Sequence, residues 1–137
     1  MDVTNPAQQK VLVVDDEHDA REALCALLEL AGHEVRSTAG GREAIDVFAE
    51  WRPHAVLLDL DLPDISGYDV ARSIRASGKR AILIAITGWS ADDSARRSAD
   101  AGFDAFFEKP LPITKLRALL ASLTRRPGQS LPAGLSR

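Results

Sequence analysis

Short runs of aliphatic residues alternate along the chain with longer segments in which apolar residues recur every three or four positions. The runs Val11 to Val14, His33 to Arg36, Ala55 to Leu58, Ala81 to Ile86 and Phe103 to Phe107 predict five strands, the second weaker and edge-like. Helical stripes fall between them. Ala20, Leu24, Leu27, Leu28 and Ala31 predict a first helix closed by Gly32, and Ala44, Val47, Phe48 and Trp51 a second that Pro53 keeps from running on. A third helix, lined by Val70, Ala71 and Ile74, follows a loop shaped by Pro63 and Gly67 and ends near Gly78. Ser90 and Asp93, at capping-box spacing, open a fourth that closes at Gly102. Pro112 suits the first turn of a last helix with Ile113, Leu116, Leu120 and Leu123 on one side. Strand and helix in alternation predict an α/β domain, a (βα)5 doubly wound open parallel sheet covered on both faces.

Four of the five strand runs stop on polar residues: Asp15-Asp16, Asp59, Thr87, and Lys109-Pro110. In a parallel sheet these stops share the carboxyl edge, where such folds bind ligands. Three carboxylates brought within a few ångströms repel one another and raise at least one pKa unless a hard cation takes up the charge. Oxygen-only ligands with room for water favour Mg²⁺. Lys109 can pair with a carboxylate at rest and with phosphoryl oxygens after transfer, and Thr87 can donate one hydrogen bond to the same oxygens. A carboxylate of Asp59 could then attack in line and become an aspartyl phosphate.

Composition narrows the picture. The 137 residues, 45% of them apolar, suit one globular domain, expected at residues 10–124 between an extension at 1–9 and a disordered tail at 125–137. A net charge of -3 gives no general attraction to nucleic acid or to an anionic membrane, and no apolar run approaches the ~20 residues of a membrane span. Cys25 sits in an apolar stretch as a small half-core residue, and with no disulfide framework or secretory signal the expected compartment is the cytoplasm. His18, His33 and His54 form no metal-ligand spacing and read as structural or solvated.

Taken in order, the acidic pair after strand one, Asp59-Leu60-Asp61-Leu62-Pro63 with Gly67, Ile86-Thr87-Gly88, and Phe106-Phe107-Glu108-Lys109-Pro110 resemble the receiver domain of two-component response regulators. Each piece alone is weak, but the ordered set is specific and covers about residues 10 to 124. The resemblance implies a flavodoxin-like strand order 2-1-3-4-5. It implies phosphorylation of Asp59 by a histidine kinase or histidine phosphotransfer protein, with Asp16 binding Mg²⁺ directly, Asp15 mainly through water, and the backbone carbonyl of Asp61 as a further ligand. Thr87 and Lys109 would contact the phosphoryl group, and the Lys109-Pro110 peptide would be cis. Phe106 falls at the family's switch aromatic, which moves inward as Thr87 shifts, although a buried Phe of strand five explains it as well. Asp61 and Trp89 flank the site where the family tunes phosphoryl loss, and Trp89 either shields the acyl phosphate from water or simply lies on the next helix.

The resemblance further implies a phosphoacceptor that assists its own phosphorylation and dephosphorylation without being a turnover enzyme. Its output would be altered binding to an unknown protein target, with a possible phosphorylation-dependent dimer through helix four, strand five and helix five. Asp92-Asp93 and Arg96-Arg97 belong to that surface or to a solvated helical face. Opening on Met1, the chain suits a single-domain regulator, with the receiver of a hybrid histidine kinase as the alternative. A phosphorylation-independent receiver-like binding module would be expected to lack a member of the charge cluster. Asp59-Leu60-Asp61 also resembles the nucleophile motif of haloacid-dehalogenase-type phosphatases, but there the motif precedes the other acids, and here the acid pair comes first.

Overall fold

In a computed structural model, residues 8–88, 100–110, 114, 115, 118 and 121 are described. Most of the predicted fourth helix from Ser90, Trp89, the Asp92-Asp93 and Arg96-Arg97 pairs, the last helix's stripe and the tail lie outside them, but Asp100 and Ala101 are helical and Gly102 turns at a φ of 98°, as expected for that helix's end. The elements run β1 (Lys10–Val14), α1 (His18–Leu30), β2 (Glu34–Thr38), α2 (Gly41–Trp51), β3 (Ala55–Asp59), α3 (Gly67–Ala76), β4 (Ile82–Thr87) and β5 (Ala105–Glu108). All pairings are parallel and the sheet order is β2-β1-β3-β4-β5, as the resemblance implied.

The period of two along each strand divides the core into two layers. Leu12, Val14, Val56, Leu58, Leu83 and Ala85 face α2 and α3, meeting Ala44, Phe48, Trp51, Val70 and Ile74. Val11, Val13, Ala55, Leu57, Ile84 and Ile86 face the other way, against Leu28 of α1. β3 is buried along its whole length, as a central parallel strand must be.

Helix ends follow local chemistry. Ser66 caps α3 by accepting the Asp69 N–H at 3.1 Å, while the positive φ of Gly32 (96°) and Gly78 (77°) turns the chain after α1 and α3. α2 has Gly40 at its cap position and so no cap side chain of its own. Asp64, from the loop after β3, supplies one instead, accepting the N–H groups of Gly41 at 2.8 Å and Arg42 at 2.9 Å. The Arg42 and Gly41 amides hold its carboxyl down at about 2.

Several expectations need correction. β5 begins at Ala105 rather than Phe103, because pairing with β4 starts at Ile84–Ala105. Phe103 lies in the preceding connection, buried with its ring edge-on to Tyr68 at 6.5 Å. β4 runs Ile82–Thr87 rather than Ala81 to Ile86, and β3 extends to Asp59, so both polar stops are strand residues held by the ladder. In α1 the buried side is displaced toward Cys25: Leu24, Cys25 and Leu28 pack on the sheet, whereas Ala31 is exposed and Leu27 is 41% exposed. The helix carries apolar residues on more than one side, so periodicity alone left its rotation open. Leu27 lines a cavity of about 560 Å³ with Leu24, Ile86 and Pro110.

Two histidines, read from sequence as structural or solvated, hold the start of β1. Nδ1 of His33 accepts the Gln9 N–H at 3.1 Å, and Nδ1 of His54 accepts that of Lys10 at 2.9 Å.

Candidate functional site

The carboxyl ends of β1, β3, β4 and β5 bring Asp15, Asp59, Thr87 and Lys109 to one edge of the sheet. Parallel register sets this arrangement: Val14 pairs with Leu58, Asp59 with Ile86, and Thr87 with Glu108. Asp15 and Asp59 are buried and Thr87 is fully so, whereas Asp16 is exposed.

Lys109 bridges the acids. Its Nζ donates to Oδ2 of Asp15 and to Oδ2 of Asp59, each at 3.1 Å. The backbone N–H of Lys109 donates to the Thr87 carbonyl at 2.7 Å, and the Lys109-Pro110 peptide is cis. The second oxygen of Asp59, Oδ1, accepts the Asp61 N–H at 2.9 Å. The corresponding oxygen of Asp15 accepts the Glu17 N–H, also at 2.9 Å.

Burial pushes the Asp59 carboxyl up, and the Asp61 amide and the Lys109 ammonium offset this only in part, with Asp15 adding repulsion. Burial works the other way on Lys109, but Asp59 and Asp15 outweigh it and raise the ammonium's pKa. One cation is shared by two acids, so Lys109 gains from both while Asp59 is compensated only in part.

Carboxylate oxygens of Asp15, Asp16 and Asp59 come within 4.8 Å of one another. Three carboxylates against a single ammonium leave an excess of negative charge, and the donors are all hard oxygens, the set that suits a small divalent cation. An acidic cluster able to bind a metal ion is therefore present.

Of the other expected residues, Phe106 is half-buried on β5, where it pairs with Ala85 and packs against the α2–α3 layer. Asp61 is exposed and donates its N–H to Asp59 Oδ1. Trp89 lies outside the described residues. Motif reading marked Gly67 without its role and missed two arginines. Gly67 packs on the backbone of Asp59 and Leu60. Arg21 reaches the Asp15 carbonyl. Arg75 fastens α3 to the opposite end of the sheet, donating to Gly102 O, Ala81 O and Asp104 Oδ2, each at 2.9 Å. For Gly67 the glycine in the motif was a signal, but no local pattern marks an arginine that bonds across 27 or 29 positions.

A doubly wound sheet with an acid cluster and one bridging lysine at its switch-point edge defines a class of proteins, and comparison supplies the family. The response regulator receiver domain model matches residues 11–121. The response regulator MprA of Mycolicibacterium vanbaalenii is 35% identical over 117 residues, which are 85% of this chain and 51% of that protein. This chain thus spans about half the length of the curated relatives it matches. The activated N-terminal receiver domain of RstA from Klebsiella pneumoniae superposes with a TM-score of 0.80 at 26% identity, over 85% of this chain and 99% of that one. A chemotaxis protein of Vibrio cholerae shares the fold with a TM-score of 0.79 at 24% identity, over 85% and 98% of the two chains. The chain belongs to the response regulator receiver family of two-component signalling, and the phosphatase reading of Asp59-Leu60-Asp61 falls away.

Receivers of this family typically partner with histidine kinases and are generally non-enzymatic phosphoacceptors. No helix among the described residues is long and apolar enough to cross a membrane.

Proposed function

We propose that this chain accepts a phosphoryl group on Asp59 from a phosphohistidine of a histidine kinase or phosphotransfer protein and signals through altered partner binding. The observation that carries this reading is the Lys109 bridge, whose Nζ lies 3.1 Å from both Asp15 and Asp59 on an otherwise acid-rich edge.

In the reaction an Asp59 carboxylate oxygen attacks phosphorus. The P–O bond forms as the P–N bond to the donor imidazole breaks, and the imidazole leaves with the electron pair and takes up a proton. Lys109 exchanges its contact with Asp59 Oδ2 for one with a phosphoryl oxygen, and the Thr87 hydroxyl donates to another. The Asp61 N–H keeps the non-attacking oxygen in place.

Asp16, Asp59 and the Asp61 carbonyl would hold Mg²⁺ directly. Asp15 would hold it mainly through water, as the family resemblance implies. Bound there, the ion supplies positive charge to the equatorial phosphoryl oxygens in the transition state. Phe106, half-buried beside the α2–α3 layer, is the switch aromatic that follows Thr87.

The receiver spans residues 10–124 and works in the cytoplasm. It assists its own phosphorylation and dephosphorylation without turnover of an external substrate. A phosphorylation-dependent dimer would form through helix four, strand five and helix five.

Intact mass after incubation with acetyl phosphate, with and without Mg²⁺, tests the reading. One metal-dependent phosphoryl adduct that is absent from Asp59→Asn is expected. A folded native chain that gains no adduct would make this a phosphorylation-independent binding module instead.

A further inference from the structure

The placement of the strand-one acid pair depends on a residue that neither the family motif nor the site chemistry marks. Arg21, in the first turn of α1, donates from Nη1 to the backbone carbonyl of Asp15 at 2.8 Å. Its Nη2 lies 3.2 Å from Nδ1 of His18. A guanidinium offers donors and no acceptor, so the imidazole nitrogen accepts. The fork is thereby braced on its own helix at one prong and holds the Asp15–Asp16 peptide with the other.

That peptide is planar, so fixing its carbonyl fixes the direction in which the chain enters Asp16. The remaining polar atoms of Asp15 are already committed. Its N–H donates to Thr38 O at 3.2 Å, Oδ1 accepts from Glu17 N–H, and Oδ2 accepts from Lys109. Arg21 supplies the fourth hold. Asp16 is exposed, and among the described residues no protein group fixes its carboxylate. Its direction therefore rests on the peptide before it.

We infer that Arg21 is a positioning residue of the cation site, aiming the Asp16 carboxylate at the acid cluster by clamping the Asp15 carbonyl. The inference rests on the phosphoacceptor reading. Removing Arg21 has two opposed effects on Mg²⁺: a mis-aimed ligand weakens binding, and loss of a nearby cation strengthens it. Arg21 is half-exposed, so solvent and salt screen its charge. Loss of a group that supports a metal ligand commonly costs tenfold or more in affinity, so positioning wins. Arg21→Lys separates the two effects, because it keeps the charge and one donor but cannot bridge to His18.

The test titrates Mg²⁺ calorimetrically into the full chain as native protein, Arg21→Met and Arg21→Lys. In parallel, phosphorylation by acetyl phosphate is followed across a Mg²⁺ series. Arg21→Met is expected to raise both the Mg²⁺ dissociation constant and the half-saturating Mg²⁺ about tenfold while leaving the rate at saturating Mg²⁺ unchanged, with Arg21→Lys between it and the native chain. A merely structural arginine would lower the unfolding midpoint and leave the Mg²⁺ affinity of the folded protein alone. If Arg21→Met does not fold, Arg21→Lys carries the same comparison. Native affinity or tighter binding in the variants overturns the inference alone. A native chain that binds no Mg²⁺ overturns the phosphoacceptor reading as well.

Discussion

Gly67→Ala places one methyl group against the backbone that carries the acceptor. A Cβ at Gly67 would lie 2.5 Å from the Asp59 carbonyl oxygen and 2.7 Å from the Leu60 Cα. Both atoms are main chain, so no side-chain rotation relieves the overlap. Ordinary carbon contacts lie near 3.5 Å, so the β3 end and the start of α3 must separate by up to roughly 1 Å. Overpacking of this kind costs about 1–3 kcal/mol, and the better helix propensity of alanine returns at most about 1 kcal/mol. The net expectation is a loss of about 1–2 kcal/mol, or roughly 4–8 °C in Tm for a domain of this size.

The larger effect is on chemistry. The Asp59 carboxylate is aligned by the Asp61 N–H at 2.9 Å and Lys109 at 3.1 Å, and both contacts are set by the backbone that the methyl group displaces. A misplacement near 1 Å can cost about a hundredfold in rate, so phosphorylation by acetyl phosphate should fall at least about tenfold. Gly78→Ala is the control. Nothing lies within 4 Å of its added Cβ, and its φ of 77° strains any larger residue, so it should lose stability at an unchanged phosphorylation rate. Thermal unfolding and adduct formation by mass would be measured on both variants. Native-like phosphorylation by Gly67→Ala would refute the claim that this close approach positions the acceptor.

Three further outcomes are expected. Burial lowers the pKa of His33 below the ordinary 6.5, so its contribution to stability is present above that value and lost as pH falls through the folded-state value. His33→Asn keeps an acceptor for Gln9 N–H, and urea midpoints between pH 7 and pH 5 should fall less for it than for the native chain; equal slopes would count against the burial argument. Arg75→Met strips three hydrogen bonds from Gly102, Ala81 and Asp104 and should cost about 2–3 kcal/mol in urea unfolding, whereas a loss under about 0.5 kcal/mol would show the clasp to be incidental. Asp59→Asn keeps the acceptor for Asp61 N–H but removes a buried, under-compensated charge, so in metal-free buffer it should unfold at a higher urea midpoint than the native chain; a lower midpoint would mean that Lys109 compensates Asp59 fully.

Class and the polar strand ends were legible in the sequence because they rest on short-range signals, whereas the strand order came only from the family resemblance. Periods of two and of three to four gave the elements, and the residue closing each apolar run fell at the sheet edge where the run's own strand placed it. What escaped depends on partners distant in the chain. The start of β5 was misplaced by two residues because Phe103 is as apolar as Phe106 and Phe107, and only the pairing of Ala105 with Ile84 distinguishes strand from connection. The rotation of α1 was likewise set by packing, since Cys25 and Leu27 look equally suited to a core. Asp64 reads locally as a turn residue after Pro63, and its use as the cap of α2 appears only when that loop is laid beside Gly41, 23 positions earlier.

The three acids, indistinguishable by residue type, are held to different degrees, and that difference fits the work of the site. Asp15 has all four of its polar groups tied to protein, so it can serve as a fixed wall of charge. Asp59 is held at both oxygens too, but its own carbonyl and N–H belong to the β3 ladder, and it shares with Asp15 the Lys109 ammonium, 31% exposed, which would be drawn to incoming phosphoryl oxygens. Asp16 is exposed and carries no such ties among the described residues, which suits a ligand that must give up water to take a cation. A cluster built for stability alone would pair each buried acid with its own cation. Here one lysine is shared between two acids, and burial leaves Asp59 disfavoured as an anion. That tension is relieved by added positive charge, and because a phosphoryl group on Asp59 would add negative charge to the same edge, the cation is needed more in the modified state than in the resting one.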